Sequence, residues 1–140
     1  MREMVVLRVT AKMLIPFILL YALYVQFHGD FGPGGGFQAG VITAAGLILY
    51  GLVFGLDQLK RAVPQRVLEI TLAIGLLMYG GTGWVTLLLG GNFLEYGYLA
   101  QHHPVHGQHY GIAMIEGGVG VGVASGLLVI YYALAGRGRR

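Results

Sequence analysis

The chain has 140 residues, of which 56% are hydrophobic and 11% are charged, and its mean hydropathy is +0.69. Because soluble domains carry about 25% charged residues, this composition predicts a membrane protein, and the length allows a single domain. A net charge of +3 in short clusters makes no phosphate-binding surface, and no nucleic-acid-binding motif is present, so nucleic acid is excluded as a partner. The sequence has no cysteine, which excludes disulfides, thiolate catalysis and cysteine metal sites.

The first apolar segment covers residues 9–27 and follows Arg8. Its length is close to the roughly 20 residues that a membrane-crossing helix requires, provided that the ammonium group of Lys12 reaches the interface along its alkyl stem. No small-x-small cleavage site follows, since the segment ends in YVQFHGD. We therefore predict a retained span rather than a cleaved signal peptide.

Three further segments are long and apolar enough to cross a bilayer, and they cover residues 36–56, 67–89 and 110–134. The basic residues form three groups, at the N-terminus, in the connection 57–66 and in the C-terminal tail, while the connections 28–35 and 90–109 have none. Four spans place all three basic groups on one side, which the positive-inside rule makes cytoplasmic. The prediction is an all-α, polytopic membrane protein, with residues 1–140 forming one domain of four transmembrane helices and with both termini cytoplasmic.

Glycine is unusually frequent, with 25 residues, and several glycines repeat every four positions along the predicted spans. Such pairs are Gly36 with Gly40, Gly51 with Gly55, and Gly118 with Gly122 and Gly126. Small residues at this spacing let another helix backbone approach closely. One interpretation is packing within the four-helix bundle. The number of glycines is large for so small an interior, so we also predict contacts with other membrane subunits.

The segment HGDFGPGGGFQ, residues 28–38, interrupts the apolar sequence between the first two spans. It lacks the Lys and Ser/Thr of a P-loop. Pro33 disfavours a helical conformation at Gly32, and the following glycines permit positive φ, so we predict a tight, non-helical re-entry into the membrane; the alternative is a plain hairpin. Irregular backbone at that depth is tolerated when it is buried in protein or lines a polar cavity. The candidate loop residues are His28, Asp30, Pro33, Gly34, Gly35, Gly36 and Phe37.

Glu116 is the main candidate for chemistry, because it lies about six residues into the fourth span and an ionisable group inside a span is functional by default. The alternative is a protonated or hydrogen-bonded glutamate that only joins helices. His109 precedes Glu116 by two helical turns, so both lie on one stripe and are candidates to pass protons. A cation site with oxygen ligands from Glu116 is equally consistent with the residues.

Glu69 is a third ion-pathway candidate, near the start of the third span, with a surface pair to Arg66 as the alternative. Histidine is a common metal ligand, and four histidines lie close together at positions 102, 103, 106 and 109. Glu95 is the one carboxylate near them and the predicted context is an irregular outer loop. We therefore expect external loop contacts there, and neither a metal site nor a cofactor.

Two segments carry a family resemblance: FHGDFGPGGGFQAG at residues 27–40 and HYGIAMIEGGVGVGV at residues 109–123. The first resembles the PGGGF signature of the B-type component of Mrp (multiple resistance and pH) cation/proton antiporters. The second is similar to that family's acidic residue followed by GVG at the start of the last helix. Length, span number and orientation agree, so the resemblance covers nearly the whole chain. The family often has HGH where this chain has His28, Gly29 and Asp30.

The resemblance implies a small membrane subunit of a hetero-oligomeric machine that exchanges cytoplasmic Na⁺ for external H⁺ across the prokaryotic cell (inner) membrane. Such a subunit is a transporter component and not an enzyme, helps to form or support the ion pathway, and is not active alone. Its implied partners are the other antiporter subunits and the lipid bilayer. The alternative is a B-like membrane subunit of a hydrogenase-type or related respiratory complex. A self-contained channel is disfavoured, because one carboxylate inside four spans offers too few polar groups.

Overall fold

The computed structural model describes residues 4–29, 34–100 and 104–137, and within those ranges it contains helices and no strand. Four of the helices are long and apolar enough to cross a membrane, which confirms the prediction of an all-α chain with four such helices. The helices are α1 Val5–His28, α2 Gly36–Phe54, α3 Leu56–Ala62, α4 Gln65–Leu88 and α5 Pro104–Arg137, with a 3₁₀ helix at Tyr96–Ala100.

The four long helices form an open row in the order α1, α2, α5, α4. α1 packs on α2, α2 on α5, and α5 on α4, whereas α1 and α4 lie at opposite ends of the row without comparable contact. This differs from a closed bundle, in which each helix has two long neighbours. In each of the four helices no more than 39% of the most apolar stretch is buried within the chain. The remaining apolar faces are available to lipid or to other proteins.

One apolar cluster lies where α2 passes into α3, on one of the two sides of the row that the helix termini form. It consists of Leu56, Leu59, Leu68, Leu128 and Tyr132. The hydroxyl of Tyr132 donates a hydrogen bond to the carbonyl oxygen of Val63 at 2.7 Å, which fixes the connection between α3 and α4 to α5.

Gly55 separates α2 from α3, because its φ of 103° is one that residues with a Cβ rarely adopt. The predicted span 36–56 therefore ends two residues early, at Phe54. The spacing of Gly51 and Gly55 suggested a helix-packing pair, and that interpretation is wrong for Gly55, which marks the chain bend. Gly51 does make a close approach, since a Cβ there would lie 2.8 Å from Leu59 Cδ2.

Three basic side chains of the described residues lie on this same side of the row. The guanidinium of Arg8 lies 5.6 Å from the centre of the Phe54 ring, and Lys12 Nζ lies 5.9 Å from it. Lys60 Nζ lies 5.6 Å from the centre of the Tyr132 ring. Cations at this distance from an aromatic face are attracted to the ring. The helix termini form two opposite sides of the row. We call the side where these cations lie the basic end, and the opposite side, which carries Gly36 and Glu116, the glycine end.

The start of α5 corrects the predicted span 110–134, because the helix begins at Pro104. Proline suits the first position of a helix, where its missing N–H group has no helical partner to lose. The first residues of the helix after Pro104 are partly polar, so the length of the apolar segment did not predict that they are helical. A Cβ at Gly111 would overlap the ring of Tyr96, so the 3₁₀ helix packs directly on this part of α5. His106 and His109 are therefore helical residues and not members of an irregular loop.

Candidate functional site

The chain re-enters the helix row through the last glycines of the predicted loop. Gly35 has a φ of 117°, in the region that favours glycine, and it immediately precedes α2. Its N–H group donates a hydrogen bond to the carbonyl oxygen of Val25 at 3.2 Å. The start of α2 is thus bonded to the last turns of α1.

The carboxylate of Glu116 lies between the end of α1 and the start of α2. A Cβ at Gly29 would lie 2.9 Å from Glu116 Oε2, and a Cβ at Gly35 would lie 3.1 Å from Glu116 Oε1. A Cβ at Gly36 would overlap the main-chain carbonyl oxygen of Glu116. A side chain at any of these three glycines would collide with Glu116 or its main chain, so the close packing depends on their being glycine. The structure thus brings the two motifs of the sequence together.

The electrostatic surroundings of Glu116 favour a negative group. The first N–H groups of a helix have no partner within it, and the helix dipole adds a partial positive charge at that end. The carboxylate lies beside Gly35 at the start of α2, where this field is strongest, and its residue is half-buried. Such a position can hold a carboxylate.

The other loop candidates have different positions. His28 is half-buried and stacks on Tyr24, with ring centres 5.1 Å apart and planes inclined by 16°. Phe37 is 63% exposed, so its ring points away from the chain's own interior. Asp30 and Pro33 lie outside the described residues.

His109 lies in the second turn of α5 and is exposed, two turns before Glu116 on the same stripe of the helix. Its helical setting gives it a defined direction relative to Glu116.

Glu69 is not part of the Glu116 site. It is exposed, and its carboxylate accepts a hydrogen bond from Gln65 Nε2 at 2.9 Å, whereas the sequence offered a surface pair with Arg66 as the alternative to an ion-pathway role. Thr71, two residues further on, is hydrogen-bonded to Ser125 at 2.7 Å. Ser125 lies about 13 Å beyond Glu116 along α5, at 1.5 Å per residue. Glu69 is therefore at the basic end, far from the glycine end.

The described residues contain no group of three or more His, Cys, Asp or Glu side chains that could hold a metal ion. His102 and His103, two of the four clustered histidines, lie outside the described ranges.

One residue of the site escaped the sequence reasoning. Gln26 is half-buried in α1, and a Cβ at Gly120 would lie 2.6 Å from its Oε1 atom. Gly120 is one turn beyond Glu116 on α5, so the amide of Gln26 borders the same helix junction. The signal in the sequence was an uncharged amide within an apolar span, two residues before His28.

Comparison with known proteins identifies the family. The model of a domain related to the MnhB subunit of Na⁺/H⁺ antiporters matches residues 6–129. The B-type component of a Na⁺/H⁺ antiporter from Alkalihalophilus pseudofirmus is 33% identical over 104 residues, covering 74% of this chain and 72% of that protein. Proteins named antiporter subunit mnhB2 from Staphylococcus haemolyticus and Staphylococcus aureus are each 29% identical over 134 residues, covering 94% of both chains.

The matches run through both motifs and all four long helices, since the family model spans residues 6–129. With four helices able to cross a membrane and with bacterial relatives along its length, the chain is a multi-pass membrane protein. It belongs to the family of MnhB-related subunits of Na⁺/H⁺ antiporters.

Proposed function

We propose that this chain is the B-type subunit of a hetero-oligomeric Mrp-type antiporter that exchanges Na⁺ for H⁺, and that it acts only together with the other subunits. The named relatives support this, because they are antiporter subunits that match most of this chain. The open row of helices supports it as well, since a row leaves apolar faces for neighbouring subunits. No activity of the chain alone is expected, because its spans contain few ionisable groups.

The observation that carries the proposed role is the position of the Glu116 carboxylate between Gly29 and Gly35. There the side chain contacts two helix ends, and one of them is the positive end of α2. We propose that Glu116 binds and releases the proton or the cation during exchange. His109, two turns away on the same stripe, is the proposed relay toward the nearer surface.

The proposed orientation places the basic end in the cytoplasm and the glycine end outside, in the cell (inner) membrane of a prokaryote. Lys and Arg near span ends bias a membrane protein toward this arrangement. The contacts of Arg8, Lys12 and Lys60 with rings at one end of the row support a common side for the N-terminus and the connection between α2 and α4. The site of Glu116 would then open toward the outer surface.

The test is Glu116→Gln in the complete antiporter complex. Glutamine keeps the shape and hydrogen bonding of the side chain but does not titrate, so the complex should assemble in normal yield. Na⁺-driven proton movement in membrane vesicles should fall severely, by about 10²-fold if the group carries the exchanged proton. Glu69→Gln is the matched control, because the same change at an exposed residue of α4 should leave exchange near its original rate. Normal exchange in Glu116→Gln, with unchanged dependence on pH and Na⁺, would make Glu116 a structural residue.

The hydrogenase-type alternative gains no support from the named relatives, which are antiporter subunits. The composition of the purified native complex separates the two assignments. Antiporter-type subunits alone are expected, whereas a subunit with cysteine-rich cluster motifs would favour the redox-linked complex.

A further inference from the structure

Gln26 presents its amide to the helix junction one turn from Glu116. A Cβ at Gly120 would lie 2.6 Å from Gln26 Oε1 and 3.2 Å from the carbonyl oxygen of Gly36. Two oxygen atoms, one from a side chain and one from the backbone, therefore face the same glycine on α5. The amide fits there because residue 120 is a glycine and has no Cβ. The junction of α1, α2 and α5 thus contains three kinds of oxygen atom within one turn of α5: carboxylate, amide and main-chain carbonyl.

The amide of Gln26 differs from other polar groups of the spans in its partners. Thr43, Thr82 and Thr86 each donate to a carbonyl oxygen of their own helix, and Gln65 donates to Glu69. No side-chain hydrogen bond of Gln26 occurs among the described residues, and its amide is not sealed in the interior, because no buried side-chain nitrogen or oxygen there lacks a partner. An amide with two donors and an acceptor is costly in apolar surroundings unless those groups find partners. The half-buried amide of Gln26 therefore stays open to water or to a ligand at the junction.

We propose that Gln26 is a specificity-determining residue of the Glu116 site, and that its amide oxygen helps to hold the cation exchanged there. This rests on the proposed function of Glu116. Hard cations prefer oxygen ligands, and amide or carbonyl oxygens can replace part of an ion's hydration shell. The amide does not titrate near neutral pH, so it cannot carry the proton itself. Its contribution is to the affinity for Na⁺, separately from the proton chemistry of Glu116.

The experiment compares Gln26→Leu with the original complex in vesicles, by measuring exchange rate against Na⁺ concentration. Leucine has a similar size but no polar atom. The apparent KM for Na⁺ should rise about three- to tenfold, the range expected for losing one polar contact. The maximal rate per assembled complex should stay within about twofold, which corresponds to a change of about 0.4 kcal/mol in the activation free energy, because the amide does not carry the proton. Gln38→Leu is the control, since Gln38 is an exposed glutamine at the start of α2 and its loss should leave the KM unchanged.

A second variant keeps the test decisive if Gln26→Leu fails to assemble. Gln26→Glu retains an oxygen ligand and adds charge, so it should lower the apparent KM for Na⁺. An unchanged KM in either assembled variant would overturn the role of Gln26, as would an equal shift in the Gln38→Leu control. The parallel Glu116→Gln measurement separates the failures. If Glu116→Gln is impaired while both Gln26 variants behave normally, only the role of Gln26 falls; a fully active Glu116→Gln complex removes the proposed function and this inference with it.

Discussion

At the glycine end of the row α2 and α5 touch through their main chains, whereas at the basic end α5 packs through large side chains. Gly36 meets the Glu116 carbonyl, and a Cβ at Gly40 would lie 2.6 Å from the carbonyl oxygen of Gly120. At the other end Leu128 and Tyr132 of α5 are buried against Leu59 of α3. A Cβ at Gly51 of α2 would lie 3.0 Å from the ring of Tyr131 of α5, so at this end a side chain lies between the two helices.

The difference shows how one short chain combines a polar site with a stable fold. Close backbone contact at Gly36 and Gly40 allows no added atom where α2 and α5 meet. The side-chain core at the basic end fixes the helices by packing, where loss of atoms is the damaging change. We expect the glycine end to be sensitive to added volume and the basic end to removed volume.

The largest expected difference between the two ends is their accessibility from outside the cell, which should be all or none. The chain has no cysteine, so a single introduced cysteine reports without background. Asn92 and Arg61 are both exposed and lie in connections that the charge distribution places on opposite sides. An impermeant thiol reagent applied to intact cells should label Asn92→Cys and leave Arg61→Cys unlabelled. Labelling of both, or of Arg61→Cys alone, would contradict the proposed orientation.

Addition of one carbon at Gly36 should nearly abolish assembly. The Cβ of Gly36→Ala would overlap a main-chain oxygen of α5, and a backbone cannot turn aside as a flexible side chain can. Gly80→Ala is the matched control, because a Cβ at Gly80 meets nothing within 4 Å and alanine is about 1 kcal/mol better than glycine inside a helix.

Yield of purified complex is the measurement for this pair. Equal yields would show that the close contact of α2 and α5 is dispensable. A low yield for Gly80→Ala alone would instead identify the open face of α4 as a contact with a neighbouring subunit.

Removal of volume at the basic end should have a moderate effect. Leu59 is fully buried, and Leu59→Ala would leave a cavity beside Gly51 and Tyr132 that costs about 2–4 kcal/mol of stability. Thermal unfolding of the complex should shift to lower temperature, while exchange per surviving complex stays unchanged because the change is remote from Glu116. Loss of exchange without loss of stability would contradict this division of roles between the two ends.

Sequence reasoning located the four spans because each is a long apolar segment, and this signal depends on no contact between helices. It also singled out Gly35 and Glu116, for a local reason in each case: a run of glycines, and a carboxylate inside a span. The sequence could not predict that Gly35 and Glu116 lie side by side, because residues about 80 positions apart in the chain meet only through the packing of α2 on α5.

The errors have equally physical causes. The start of α5 at Pro104 was missed because a helix held by the neighbouring 3₁₀ turn can continue into polar sequence. Gly55 was misread because the four-residue spacing of a packing pair does not distinguish a contact from a bend. Gln26 was overlooked because a single amide in an apolar helix becomes notable only when its neighbours, Gly36 and Gly120, are known.

The smallest expected effect concerns the hydrogen bond that links α4 to α5 between the two ends. Thr71 Oγ1 and Ser125 Oγ lie 2.7 Å apart, and Thr71 also lies 2.9 Å from the carbonyl oxygen of Val67. Hydrogen bonds between membrane helices contribute about 0.6 kcal/mol on average, because each hydroxyl can turn back to a carbonyl of its own helix when its partner is lost. Thr71→Val and Ser125→Ala should therefore each lower stability slightly, and the double variant should cost less than the sum by about that amount. A coupling above about 2 kcal/mol would contradict this, since it would mean that neither hydroxyl finds a substitute partner on its own helix.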